Sequence, residues 1–525
     1  MMVLEKCNLL FSIFIDLFVS LCTLPFLILK LNRTISASCK IKSRKQHQHD
    51  ITEIANELRL ASNHNPRVQI AIFRKPGEGH SSRSTIYKKG KYQVNISALD
   101  SIIEINPKEK YAEVEALVTF EQLCKATLKH GLLPAVVPEF KTITIGGAIQ
   151  GIGIESTSWM FGTFDKTIIE ATLITGRGTI ISSSEAPDLW KALPGSNGTL
   201  ALIVAARVRL IEATDWIHLR YVYYSDSSKF FHAMKEQHTM KTRNTGWLGN
   251  NQVIDAINFC RRDQNIKNGI VAMYGGCVRQ LALNLPIYGE TIFSPFFYQH
   301  VNMIFDAKHQ DIDSDGIILH EEYIPTLEYL FRYDKGGFWG IETITSMIPI
   351  LKLVLYTPIL RAVLNHFFKT STLYKIAMLV SDQRRESIGM LQDVDVPIEH
   401  AHEIINWAMR KDLAMLWLCP VLSCRHDEGL FSVATNSKTS LIMNIGLYGS
   451  AKDLPQSNFE LQRLVAKLDG KTALYAHIYA NRDEFWSWYN YEEYTRLRQK
   501  WDGNVFMDLW DKVGGALLNP IREST

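Results

Sequence analysis

Between Val137 and Phe164 the chain carries five glycines, Gly146, Gly147, Gly151, Gly153 and Gly162, set among Thr144, Glu155, Ser156, Thr157 and Ser158. A glycine has no Cβ, accepts φ > 0 and lets the main chain touch a ligand. Closely set glycines with free N–H groups and neighbouring hydroxyls suit a pyrophosphate, which needs many short donors and little steric bulk. The plain alternative is a set of tight turns in a β-rich domain. Gly151-Ile-Gly153-Ile-Glu-Ser156 opens like a Rossmann fingerprint. It lacks the third glycine, and no clear βαβ unit with an acidic residue about 20 positions on surrounds it, so that reading is rejected.

The surroundings are β-rich. Gly131–Pro138 reads as a short apolar strand or turn bounded by prolines, and Thr167–Thr175 as a β-branched strand closed by Gly176-Arg-Gly178. Upstream, Asp50–Leu60 has the spacing of a helix, and Val68–Phe73 alternates as a strand. A loop with Gly77, Gly79, His80, Ser81 and Ser82 follows. It is either a second phosphate cradle or a plain hairpin turn. Further strands are expected at Gln93–Ile96, Ser101–Ile105 and Ala112–Val118, and a helix at Phe120–Leu128. Asp188–Leu193 reads as a short helix running into a third glycine loop, Pro194-Gly-Ser-Asn-Gly-Thr199, which feeds an apolar strand to Val204. Three glycine loops, each abutting strands, favour one large phosphate-bearing cofactor wrapped by an α+β domain.

At 525 residues and 46% hydrophobic content the chain has room for several domains and ample core. A net charge of +3, with both signs interspersed, gives no basis for a nucleic-acid partner. The eight cysteines form no CxxC pair, which fits reduced thiols on the cytosolic side better than a disulfide framework or a zinc site. Leu9–Leu29 is 21 positions of apolar character, broken by Asp16 and containing Pro25. That length spans a bilayer core. Lys30, Arg33, Lys40, Lys42, Arg44 and Lys45 follow, which places the rest of the chain in the cytosol. A cleaved signal peptide is the rival, but the stretch is long for one.

The glycine loops carry a resemblance. Thr144-Ile-Gly-Gly-Ala-Ile-Gln-Gly-Ile-Gly-Ile-Glu-Ser156 resembles the flavin-binding segment of the FAD-linked oxidoreductases typified by vanillyl-alcohol oxidase. Pro76–Ser82 resembles that family's pyrophosphate loop, and Gly195–Val204 its later flavin-contacting turn. Glu78 and Ala201 depart from it, standing where many members have glycine. The resemblance implies an α+β fold: a PCMH-type FAD-binding domain, a second substrate or cap domain, and an N-terminal membrane anchor. It assigns FAD to Gly77, Gly79, His80, Ser81, Thr144, Ile145, Gly146, Gly147, Gly151, Gly153, Ile154, Glu155, Ser156, Gly198 and Ile203. Some members attach the flavin covalently at the position of His80; dissociable FAD is favoured here.

The C-terminal half narrows the likeness. Pro295–Val301, Glu322–Pro325, Phe331–Trp339, Trp417–Pro420, Asn444–Gly449 and Leu474–Trp486 are similar to segments of the Δ24-sterol reductases. That branch implies NADPH as electron donor and a sterol substrate. It also implies a single-pass anchor in the endoplasmic reticulum membrane, with the catalytic part cytosolic. The expected division is an anchor at 9–29, the FAD-binding domain at 46–215, the substrate or cap domain at 216–455, and a C-terminal segment at 456–525 that closes the flavin site.

Adding hydride to an isolated alkene requires a protein acid for the second carbon. His477 or a neighbouring tyrosine is expected to be that acid, because Tyr475, His477 and Tyr479 share one face if the segment is extended. They read equally as satisfied groups at a domain interface. Arg332, Tyr333 and Lys335 form a second polar group, suited to an anionic cofactor or to the surface. Asp311-Ile-Asp-Ser-Asp-Gly316 with Glu322 fits the spacing of an EF-hand loop, but Pro325 interrupts the helix that must follow. It is read as a solvated acidic loop rather than a calcium site, and no resident metal is expected. The apolar stretch Met347–Phe368, broken by Pro349, Lys352 and Pro358, reads as core or as the wall of an apolar pocket. Two other functions stay open: an oxidase of the same fold acting on another lipid or hydroxylated substrate, and a membrane-tethered binding protein without turnover.

Overall fold

Antiparallel pairing organises most of the chain into two sheets. The computed structural model describes residues 40–64, 69–74, 88–243, 252–260, 268–282, 284–308, 314–342, 357–359, 362, 368–377, 389–423, 429–431 and 440–515. The expected anchor at 9–29, the loop with Gly77, Gly79, His80 and Ser81, and nearly all of Met347–Phe368 lie outside these residues. Among the described residues no helix is long and apolar enough to cross a membrane.

The first layer begins with helix α1 (Arg44–His64) and a parallel strand pair, β1 (Ile70–Phe73) with β2 (Tyr92–Asn95). Strands β3 (Ile102–Asn106) and β4 (Tyr111–Glu115) follow. Helix α2 (Phe120–Thr127) is started by a capping box: Thr119 accepts the Gln122 N–H at 3.3 Å, and Gln122 Oε1 takes the Thr119 N–H at 3.0 Å. Gly131 closes this region in the left-handed conformation, φ +67°. Next come β5 (Leu132–Pro134), α3 (Ile145–Gly151), β6 (Ile168–Ile174), β7 (Ile180–Ser182) and the long β8 (Leu202–Glu212). The sheet order is β3-β4-β8-β6-β7, with β5 also on β8.

The second layer is an eight-stranded sheet built from β9 (Trp216–Tyr224), β10 (Val253–Phe259), β11 (Gly269–Val278), β12 (Ile317–Pro325), β13 (Met390–Pro397), β14 (Met415–Leu422), β15 (Leu441–Gly449) and β16 (Lys471–Thr472). Its order is β12-β9-β11-β10-β14-β15-β13-β16. Successive side chains alternate between two cores. Val222, Ile254, Leu418, Ile445 and Val394 face helices α4 (Ser227–Arg243), α6 (Ala401–Arg410) and α7 (Gln456–Lys467). Tyr221, Ile257, Trp417, Cys419 and Tyr448 face the other way, into a core shared with Ile145, Ile149 and Phe164 of the first layer. Among the other helices are α5 (Phe297–Lys308), beside β12, and α8 (Tyr491–Lys500). Antiparallel sheets with helices gathered on particular faces make an α+β fold.

Two open readings are narrowed. Residues 474–480 do not form a strand; regular pairing stops at Thr472. The reason is a side chain of α7: Gln462 Nε2 donates to the His477 carbonyl at 2.9 Å, and Gln462 Oε1 accepts the Tyr479 N–H at 2.9 Å, so these backbone groups need no neighbouring strand. Of the two readings of Arg332 and Tyr333, a cofactor contact or the surface, the second is excluded. Both are buried, for the reason given next. The acidic run ending at Gly316 leads into β12, where an EF-hand requires a helix.

Candidate active site at the seam between the sheets

Thr144 caps α3 by accepting the Gly147 N–H at 3.2 Å. Ile145 is buried, and Gly146 donates to the Ala116 carbonyl at 2.8 Å. A Cβ on Gly146 would stand 2.9 Å from that of Ala116, so only glycine allows this approach. Past α3, Ile152 turns the chain in the left-handed region, φ +57°. Gly153 then packs against Pro138, and Gly151 faces open space, since an added Cβ meets nothing within 4 Å. The Gly195–Gly198 turn lies alongside: Gly195 N–H donates to the Gln150 carbonyl at 3.0 Å, and Gln150 Nε2 to the Ala201 carbonyl at 3.2 Å. Ile203 sits in the buried core of β8, paired with Leu173. Two of the three glycine loops thus meet through Gln150.

Glu155 and Ser156 carry this segment across to the second sheet. The Ser156 carbonyl accepts the Ile254 N–H of β10 at 2.8 Å. Glu155 Oε1 takes Arg332 Nη2 at 2.8 Å, and the same guanidinium lies 2.8 Å from Asp255 Oδ2. Tyr333 and Trp417 Nε1 also donate to Asp255, at 2.8 and 3.0 Å. The three charged side chains are 1%, 3% and 0% exposed for Arg332, Glu155 and Asp255. Burial and the neighbouring Asp255 push the Glu155 carboxyl up, while Arg332 pulls it down. Two carboxylates share one cation at the seam. Lys335, the third member of that group, pairs with Glu290 at 2.7 Å.

A second cluster flanks the same loop. Asp393 of β13 accepts from Tyr448 at 2.6 Å and from Tyr475 at 2.8 Å. Burial pushes its carboxyl up to about 6, against the pull of both hydroxyls. Asp395, two residues on, accepts from Asn444 Nδ2 at 2.9 Å and is pushed up to about 7 by burial. Glu139, in the loop just before the glycine segment, is pushed up to about 8 by burial, with Glu155 and Asp393 repelling its charge. Phe140, Phe338, Trp339 and Tyr448 pack edge to face or tilted beside these acids. At neutral pH the arrangement holds a protonated Glu139, and two tyrosine hydroxyls on a largely ionised Asp393, against an aromatic wall.

Of the expected acids, Tyr475 joins this cluster through Asp393. His477 and Tyr479 lie edge to face on each other, ring centroids 4.7 Å apart, beside α7. Sequence reasoning missed Glu139, Asp393, Asp395 and Tyr448. The alternating acids of Gln392-Asp-Val-Asp-Val396 were the available signal, because a carboxylate in an apolar strand asks for an explanation.

The residues present fit FAD. Ser196 Oγ, inside the Gly195–Gly198 turn, is buried without a hydrogen-bond partner, and the face of Gly151 is open. Thr144, the Gly151–Ser156 backbone and the Ser196 turn would hold it. Residues 48–184 match the FAD binding domain family, so the chain is an FAD-linked oxidoreductase. Within that class it resembles the Δ24-sterol reductases along most of its length. It is 25% identical over 486 residues to the Delta(24)-sterol reductase of Homo sapiens, covering 89% of this chain and 86% of that one. It is 24% identical over 520 residues to the Delta(24)-sterol reductase of Arabidopsis thaliana, covering 92% and 88%. Cytokinin dehydrogenase 2 of Arabidopsis thaliana matches at 27% over 180 residues, 34% of this chain and 35% of that one.

Proposed function

We propose that this enzyme reduces the Δ24 double bond of a sterol side chain with NADPH. The likeness to Δ24-sterol reductases along about nine-tenths of the chain carries this reading. Bound FAD supplies hydride chemistry, with NADPH as the source of electrons. The chain's own part is the proton, and the group we assign to it is the Tyr475 hydroxyl. The Tyr475 hydroxyl lies 2.8 Å from Asp393. It gives its proton to the alkene when Asp393 is itself protonated and donates to the Tyr475 oxygen, so that the carboxyl proton replaces the one transferred. Tyr448 also donates to Asp393, at 2.6 Å, and Glu139, pushed up to about 8 by burial, stays protonated at neutral pH nearby. Phe338, Trp339 and Trp417 keep water from the alkene, which has no polar handle of its own.

The same reading gives the chain a single-pass anchor at 9–29 and an endoplasmic-reticulum location with the catalytic part cytosolic. It also keeps the division at 46–215, 216–455 and 456–525. The test is product analysis on detergent-solubilised protein with a Δ24 sterol. Saturated product that requires NADPH is expected. Peroxide formed from substrate without NADPH would instead make the enzyme an oxidase.

A further inference from the structure

On the far edge of the large sheet, away from the Asp393 cluster, lies a group that the proposed reaction does not use. His320 and Glu322 are two positions apart on edge strand β12, so their side chains leave the same face. His300 comes from the first turn of α5. His300 Nε2 is 2.9 Å from Glu322 Oε1, and His320 Nε2 is 3.3 Å from Glu322 Oε2. All three ligand atoms fall within 4.8 Å of one another, the one such grouping among the described residues.

We propose that His300, His320 and Glu322 bind a zinc ion, which ties helix α5 to the edge of the sheet. Ligands about 2.0–2.1 Å from a tetrahedral zinc stand roughly 3.3–3.4 Å apart, which is the scale of the separations seen. Two imidazoles and one carboxylate form a borderline set that suits zinc; calcium and magnesium require mostly oxygen ligands. Tyr221, paired with His320 across β9 and β12, donates its hydroxyl to Glu322 Oε1 at 2.5 Å. Such an outer partner orients a ligating carboxylate. The carboxylate is 3% exposed, but His300 is 20% and His320 33% exposed, which leaves a path for the ion and a fourth position for water. No short sequence motif announces the group, because one ligand comes from a helix and two from a strand.

The test is metal analysis of the full-length, FAD-loaded protein after equilibration with zinc and dialysis against metal-free buffer. One zinc per chain is expected, and zinc should raise the unfolding temperature. His320→Ala should abolish both effects while retaining flavin, which shows that the variant is folded. Tyr221→Phe should weaken binding by about tenfold. X-ray absorption on the unaltered protein needs no variant and should report two imidazoles on the metal. No retained zinc, zinc retained undiminished by His320→Ala, or a sulfur-ligated ion would each overturn the proposal.

Discussion

Replacing Arg332 with methionine tests whether the seam is held by a buried charge network. The guanidinium lies 2.8 Å from both Glu155 and Asp255 and stacks over Tyr329 and Tyr333, 4.1 and 4.6 Å from their ring centroids. Methionine keeps the volume of the stem and removes the charge, so two nearly unexposed carboxylates face each other without a cation. Breaking a buried pair in this way costs about 3–5 kcal/mol. The lost cation–π contacts belong to the same change and are not added to it.

The pH dependence follows from the sign of the shift. Burial and Asp255 already raise the Glu155 carboxyl even with Arg332 present. Without the guanidinium it rises further, so the folded variant binds a proton more tightly than the unfolded chain. Its stability is then fullest at acid pH and is lost as pH rises through the folded value. Urea titration followed by tryptophan fluorescence suits the measurement, because Trp417 donates to Asp255 at 3.0 Å. The deficit relative to the parent should be smaller near about pH 5 than near about pH 8. Glu155→Gln combined with Arg332→Met should recover part of the loss. A loss below about 1 kcal/mol, the size of an exposed pair, would refute the network.

Two further outcomes follow from the acid cluster. Tyr475→Phe should lower kcat by about 10²–10⁴-fold with flavin content unchanged, while His477→Ala should lower it less. Steady-state rates with a Δ24 sterol decide this, and equal losses or the reverse order would move the proton elsewhere. Glu139 has an ordinary value of 4.5 and a folded value of about 8, so its contribution to stability is present below 4.5 and disappears as pH rises to about 8. Glu139→Gln should flatten the parent's decline of urea midpoint over that window, and an unchanged slope would show that Glu139 is not responsible.

The elements near the glycine loops were legible because their signals are local. Alternation placed β1 to β4 within a few residues, and apolar positions at helical spacing placed α2. The flavin segment was readable for the same reason: its glycines must lie together in sequence to lie together in space. The seam is different. Arg332 meets Glu155 across 177 positions, and Tyr475 meets Asp393 across 82. Nothing within a window of helical or strand length reports such a pairing, so Arg332 read as a cofactor contact or a surface group, and the acid was placed at His477 or a neighbouring tyrosine. Residues 474–480 do alternate, with Ala476 and Ile478 buried and His477 against Tyr479; that they join no sheet was not legible, because the partner of their backbone is the Gln462 side chain.

Arg498 donates to the Thr199 carbonyl at 2.7 Å, and Lys512 reaches the carbonyl of Asn197, contacts that span 299 and 315 positions. Phe506 enters the core between α1 and the first sheet, beside Ile51, Leu58 and Val204. On a ribosome adding about 5–20 residues per second, the turn at 195–199 emerges roughly 15–60 seconds before the residues that clasp it. For that interval the first layer lacks Phe506 in its core and the donors that meet the carbonyls of Asn197 and Thr199. A chain halted before residue 498 should therefore bare the core face that Phe506 covers, which binding of a hydrophobic dye to such a truncated chain would reveal.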